Sequence, residues 1–399
     1  MNIQNVSTTD IRIERHARQL SRQLKLLRDR LFPPLSQKTL RTFTSGEVAQ
    51  LIGVSDGYLR QLSLDGKGPL PETSSTGRRS YTLAQVNALR RFLAEQKPKD
   101  AVSYLPRRRP GEKLQTIAVT NFKGGSAKTT TTLYLAQYLA LAGYRVLAVD
   151  LDPQASLSSM LGVQPEFDLN EGDTLYGAIR YDEKRRPLRD IIRKSYFDGL
   201  DLVAGNLELM EFEHDTPRAL NDRSRSWGEL FFKRVGVAIA EVEADYDIVV
   251  IDCPPQLGYL TLGAVCAATS LLITIHPQMV DVASMSQFLL MTSDLLSVVR
   301  KAGGDLQHDF IKYVVTRHEP FDGPQSQIVG LLRSLFGDDV LTATVLKSTS
   351  IADAGLTKQS LYEIERGQVR KSTYDRALES VNAVNGEVVA NVHKAWGRP

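Results

Sequence analysis

Lys123-Gly124-Gly125-Ser126-Ala127-Lys128-Thr129-Thr130 stands directly after the apolar run 117–120 and opens a helical pattern that lasts to residue 142. Strand, glycine loop, helix is the order in which such a loop cradles phosphate. Gly124 and Gly125 can take positive φ and turn backbone N–H groups inward. A helix beginning at Lys128 adds the partial positive charge of its N-terminus. Lys128 is placed to reach terminal phosphate oxygens and Thr129 to hold Mg²⁺ through its hydroxyl, with Thr130 continuing the first turn. The usual loop has glycine just before this lysine. Here Ala127 takes that place, and a second lysine, Lys123, opens the motif.

Carboxylates follow at the ends of later apolar runs. Run 146–149 leads into Asp150-Leu151-Asp152-Pro153-Gln154, and run 248–251 into Asp252-Cys253-Pro254-Pro255. In a parallel sheet, strand C-termini face the ligand crevice. Strand alternation predicts that Asp150 and Asp152 point to the same side. One then orders a Mg²⁺-bound water and the other positions the attacking water, and Asp252 is the second metal-side carboxylate. Further runs at 200–203, 271–275, 311–315 and 340–345 alternate with helix-length segments. The pattern predicts an α/β fold, a largely parallel sheet with helices on both faces.

The chain has 399 residues, enough for two or three domains, with an ordinary 42% of hydrophobic residues. Two cysteines, Cys253 and Cys266, exclude a disulfide framework and fit a reducing, cytoplasmic setting. No run approaches the ~18 apolar residues of a membrane span, the first residues lack the apolar core of a signal peptide, and no membrane partner is expected. The six histidines show no metal-ligand spacing. The net charge of +3 conceals an asymmetry: residues 1–113 carry 21 Lys and Arg against 10 Asp and Glu. A basic front on an acidic body points to a polyanion as the front's partner, with a solvated helical arm as the plainer alternative.

Within 1–40, Leu20, Leu24, Leu27 and Leu31 recur at helical spacing over 10–32, until Pro33-Pro34 stops the pattern. This stripe pairs with a second subunit or packs on its own chain. Residues 41–96 read as a compact DNA-binding unit. Thr44 to Glu47 start one helix, and Gly53-Val54-Ser55 turns into another at 56–64 with Ser55 as its cap. Ser55, Asp56, Tyr58 and Arg60 fall on or near a recognition helix, with Arg60 the best base or phosphate donor and Leu59 assigned to the core. Arg78 and Arg79 fit a wing. Residues 97–113 read as a linker, and 114–399 as the body with C-terminal helices. In the body, Lys347, Lys358 and Arg366 are candidates for nonspecific DNA contact, each also readable as a solvated side chain.

KGGSAKTT, VDLDPQAS and DIVVIDCPPQLG, in this order, resemble the ParA/MinD family of deviant Walker ATPases, over roughly 114–355. The front unit is similar to a MerR-like winged helix–turn–helix. The combination looks like the long plasmid-type ParA proteins, including the RepA partition proteins of repABC plasmids. The resemblance implies ATP and Mg²⁺ as cofactors and a homodimer with ATP sandwiched at its interface. Lys123 would be the signature lysine crossing to the partner's nucleotide, Asp152 the hydrolysis residue, and Asp150 and Asp252 the Mg²⁺-side groups. It also implies nonspecific DNA binding on the nucleoid, slow hydrolysis stimulated by a ParB-type partner, and repression at an operator. The alternative is a nucleotide-switched repressor without turnover. An iron–sulfur reductase shares the loop, but Cys253 sits where sheet packing is expected. A MinD-like membrane timer would need a basic amphipathic tail, which 381–399 is not.

Overall fold

A computed structural model describes residues 8–31, 38–75, 77–121, 123–221, 228–304, 306–365, 367 and 369–398. The chain divides into two compact units, 1–39 and 40–399. In the first, helix α1 (Thr9–Leu31) matches the leucine pattern, with Leu20 exposed. The side chains of Leu24, Leu27 and Leu31, and the Pro33-Pro34 stop, lie outside the described residues.

The second unit opens with β1 (Phe43–Thr44), α2 (Ser45–Ile52) and α3 (Asp56–Leu64). Thr44 and Glu47 form a reciprocal cap on α2, and Gly53 takes φ 77° to end it. The hairpin of β2 (Glu72–Thr73) and β3 (Arg79–Tyr81) completes a three-stranded sheet with β1, and α4 (Leu83–Gln96) follows. Phe43, Val48, Leu59, Val86 and Leu93 fill the space between these elements. The expected linker is fastened at Tyr104, whose carbonyl accepts from Arg90, and again near its C-terminal end. It carries the short helix α5 (Ala101–Tyr104), and near the C-terminus Arg398 pairs with Glu112 at 2.6 Å and donates to the carbonyl of Arg107 at 2.6 Å.

Seven strands form the main sheet: β4 (Gln115–Thr120), β5 (Val146–Asp150), β6 (Arg193–Lys194), β7 (Leu200–Val203), β8 (Ile248–Asp252), β9 (Ser270–Ile275) and β10 (Phe310–Val315). Their order is β10-β9-β4-β8-β5-β7-β6, parallel except for β6. Every residue of β4, β5, β8 and β9 is buried, as expected of strands covered on both faces. The register sets Asp150 opposite Asp252 and Val119 opposite Asp252. Connections from β4 and β8 cross in opposite directions, so the crevice opens at the C-terminal ends of the central strands.

The expected strand at 340–345 is not one. Isolated bridges, Tyr313 to Val340 and His318 to Leu346, join it to β10 and to the residues just past it, with backbone hydrogen bonds from Leu341 to Tyr313 and from Val345 to Val315. Between them the N–H groups of Thr342 and Ala343 turn to the Glu387 carboxylate at 2.8 and 2.7 Å, which interrupts the ladder. Among the described residues one helix, Met279–Lys301, is long and apolar enough to cross a membrane by length and composition. It connects β9 to β10 and buries Met285, Phe288 and Val299 against the body, while Val280, Leu290 and Val298 face outward.

Candidate nucleotide site

The loop between β4 and α6 (Lys128–Ala142) is tied down on every side. Asn121, just past β4, donates to the Thr274 carbonyl at 2.6 Å and accepts the Lys123 N–H at 3.0 Å. The buried Ser126 takes a hydrogen bond from the Thr274 hydroxyl at 3.0 Å, and its carbonyl takes one from Thr316 at 3.1 Å. Arg317, at φ 54°, donates to the carbonyl of Gly125 at 3.1 Å. Gly125 and Ala127 have φ of 80° and 68°. Ala127 therefore occupies a left-handed conformation that glycine would take freely, at a cost of about 1 kcal/mol. It is the N-cap of α6 without a side-chain cap, so the first-turn N–H groups remain available to a ligand. Gly124 is exposed, while Thr129 and Thr130 are half-buried beside a cavity of about 260 Å³.

Lys128 is buried, and its ammonium donates to the carbonyl of Lys123 at 3.2 Å. Burial lowers its pKa, against which the charge of Asp252 acts. The side chain of Lys123 forms an ion pair with Asp281, whose other oxygen lies 3.2 Å from His276 Nδ1. Burial and the charges of Arg317 and Lys123 hold His276 below its ordinary value.

The three aspartates divide into distinct environments. Asp150 is fully buried and accepts the Ser158 N–H at 2.8 Å, the Ser158 hydroxyl at 2.7 Å and the Asp152 N–H at 3.2 Å. Burial raises its pKa to about 6. Asp252 is equally buried, and its Oδ1 lies 3.4 Å from the Thr132 hydroxyl, which also donates to the Lys128 carbonyl. Its Oδ2 has no partner among the described residues. Burial, reinforced by the charge of Asp150, holds the Asp252 carboxyl well above the carboxylate range. The Thr129 side chain lies near this carboxyl and acts against the rise. An unpartnered buried oxygen beside a threonine hydroxyl is what a hard cation completes. Strand alternation does not reach Asp152, yet its charge acts on Asp150, Asp252 and Lys128. β5 ends at Asp150, and the chain turns, Asp152 accepting the N–H groups of Gln154 and Ala155. Asp152 is left half-buried at the edge of the crevice.

Residues assigned to DNA are spread over three places. The Ser55 hydroxyl caps α3 by accepting the Tyr58 N–H at 3.2 Å. Leu59 is core, Tyr58 carries the Lys97 ammonium 4.7 Å over its ring, and Asp56 and Arg60 are exposed. Arg78 is exposed at the β2–β3 turn and Arg79 is half-buried. Lys347 pairs with Glu319 at 2.8 Å, beside a groove of about 220 Å³ that also holds Ser372, Thr373 and Arg376. Lys358 lies in the turn after the helix Thr349–Leu356, at φ 54°. Arg366 lies outside the described residues. Cys253 is fully buried in the sheet, and burial pushes the half-buried Cys266 thiol up to about 12.

Sequence reasoning missed Asn121, Ser158, Arg317 and Asp281. Asn121 and Arg317 stand just past the C-termini of β4 and β10, a position that marks crevice residues. Nothing in the local pattern marks Ser158 or Asp281.

A phosphate loop set between a parallel strand and a helix, with carboxylates closing the adjacent strands, defines a P-loop nucleotide-binding protein. The family model of an AAA domain matches residues 114–302. The "Putative replication protein A" of Sinorhizobium fredii is 55% identical over 95% of this chain and 93% of its own length. Protein SopA of Escherichia coli is 29% identical over 83% of this chain and 82% of its own. A solved structure of a partition protein shares the fold with a TM-score of 0.66 at 18% identity, covering 94% of this chain and 98% of that one. The chain belongs to the ParA/MinD family of ATPases.

Proposed function

We propose that the protein is a Mg²⁺-dependent partition ATPase of a low-copy plasmid or secondary replicon. The observation that carries the reading is the open oxygen of Asp252 beside Thr129, directly under the first turn of α6. The loop N–H groups and Lys128 take the phosphate oxygens, the Lys128 ammonium leaving the Lys123 carbonyl for them. Thr129 and Asp252 would hold Mg²⁺, which when bound supplies positive charge against the terminal phosphates. Asp150 backs the site, and Asp152, at the crevice edge, positions the attacking water.

Lys123 reaches a second subunit's nucleotide in an ATP-sandwich homodimer, which requires it to leave Asp281. ATP favours the dimer because its binding energy is shared by two chains. The dimer binds nonspecific DNA through Lys347 and its groove, on the nucleoid in the cytoplasm. A ParB-type partner then completes the site and releases monomers. The α2–α3 pair and the β2–β3 hairpin, as a winged helix–turn–helix presenting Arg60, Arg78 and Arg79, bind operator DNA and repress the operon. A second reading, a repressor switched by nucleotide without turnover, is favoured by the docking of this unit directly on α6.

The deciding experiment measures ATP hydrolysis by the purified chain with and without nonspecific DNA and a ParB-type partner. Slow basal turnover that rises with both supports the partition cycle. Intact ATP binding with no turnover under any condition leaves the repressor.

A further inference from the structure

One guanidinium joins the far end of the phosphate-loop helix to the first helix of the α2–α3 pair. Arg90, on α4, is 2% exposed. It donates to the carbonyls of Leu141 and Ala142, the last two residues of α6, at 2.6 Å each. With the same nitrogen that reaches Leu141 it donates to Leu51 in the last turn of α2, again at 2.6 Å. A longer bond of 3.4 Å reaches Tyr104. Gly143, at φ 102°, lies so close that a Cβ there would stand 3.1 Å from Arg90 Cδ.

Every acceptor is a main-chain carbonyl, and among the described residues no carboxylate pairs with this cation. Burial without a counter-charge pushes the guanidinium down to about 10. A well-packed apolar residue usually stabilises such a position as well as a buried charge does, so packing alone does not account for an arginine here. Helix C-termini carry unsatisfied carbonyls and partial negative charge. Arg90 is the cation that the ends of α6 and α2 share. The other end of α6 is the phosphate loop, and the turn Gly53 to Ser55, two residues past Leu51, leads into α3.

We propose that Arg90 is the mechanical link by which occupancy of the phosphate loop resets the α2–α3 pair. The link rests on the nucleotide reading of the loop. Phosphate drawn onto the first turn of α6 shifts a rigid rod of roughly 22 Å, and its C-terminal carbonyls move with it. The guanidinium, bonded to both helix ends, carries that shift to Leu51 and the turn. Lysine cannot replace it, because one ammonium lacks the fork that holds both ends in fixed geometry.

Hydrogen–deuterium exchange on the full chain, with Mg²⁺ and the non-hydrolysable analogue AMPPNP, tests this. In the wild type, AMPPNP is expected to slow exchange at 128–132 and to change it at 51–60 by about tenfold, as a local opening equilibrium would. In Arg90→Met, or in Arg90→Lys should the methionine variant not fold, protection at 128–132 persists while the response at 51–60 disappears. An unchanged response at 51–60 in a folded variant overturns the link, as does a wild type protected at 128–132 with no response at 51–60. No protection at 128–132 in the wild type removes the nucleotide reading itself, and the link with it.

Discussion

Ser158 grips Asp150 twice, through its backbone N–H at 2.8 Å and its hydroxyl at 2.7 Å, and the same hydroxyl accepts the Gly205 N–H at 2.8 Å. A Cβ on Gly205 would fall 2.9 Å from the Asp150 carbonyl, so the turn after β7 closes against the same aspartate. Ser158→Ala removes a donor to a buried carboxylate and leaves a buried N–H unsatisfied. Each loss of this kind costs about 1–3 kcal/mol. The urea midpoint should fall with the slope of the transition unchanged. A midpoint equal to that of the wild type would show that the network carries no weight.

Asp252 presents the opposite case, a buried carboxylate whose second oxygen has no partner. Asp252→Asn removes the cost of burying an ionisable carboxyl, which burial holds protonated near neutral pH, so the nucleotide-free protein should gain roughly 1 kcal/mol or more. The same change takes away the negative ligand for Mg²⁺. Thermal unfolding should move upward while ATP hydrolysis and the Mg²⁺ dependence of nucleotide binding are lost. A variant that is less stable and still Mg²⁺-dependent would contradict the assignment.

Near the C-terminus His393 Nε2 lies 2.6 Å from the Tyr144 hydroxyl, with its ring stacked on Trp396. Burial holds His393 below its ordinary value. The unfolded chain therefore binds this proton more readily than the folded one. The associated stability is present above about pH 6.5 and is lost as pH falls through the lower, folded value. His276 and His318 are shifted the same way by burial and add to the loss. His393→Gln should narrow the gap between melting temperatures at pH 7.5 and 5.5. A gap as wide as the wild type's would assign the acid sensitivity to other groups.

What the sequence made legible follows from how local each cause is. The loop, α6, the strand ends and the Ser55 cap depend on neighbouring residues, and all were readable. The ladder over 340–345 was not, because Glu387, far along the chain, captures the N–H groups of Thr342 and Ala343. Asp152 was placed by alternation past the point where β5 stops and a turn takes over. Asp281 and Arg90 act through partners brought together only by packing, and no spacing rule marks such residues.

Lys123 is held in its own subunit by Asp281, so the proposed dimer must first break this pair. With the Lys123 side chain 37% exposed, the pair is worth no more than about 1 kcal/mol. Two such pairs break per dimer, one in each subunit, so Asp281→Asn should let the ATP-dependent dimer form at up to about thirtyfold lower protein concentration, read by sedimentation with AMPPNP and Mg²⁺. An unchanged or weaker dimer would mean that Asp281 does not compete for the lysine.

Glu319 and Lys347 form a similar restraint on the proposed DNA surface, at 2.8 Å with both side chains partly exposed. A lysine already paired gives up part of its attraction for phosphate, so Glu319→Gln should strengthen nonspecific DNA binding at low salt. Lys347→Gln should weaken it uniformly across sequences and reduce the salt slope by about 0.9, the share of one phosphate contact on duplex DNA. The two variants are measured by salt titration with the same random-sequence duplex. Opposite shifts in affinity, with the slope falling only in the lysine variant, place the phosphate contact at Lys347. A slope that falls in neither moves the contact to other basic residues of the body.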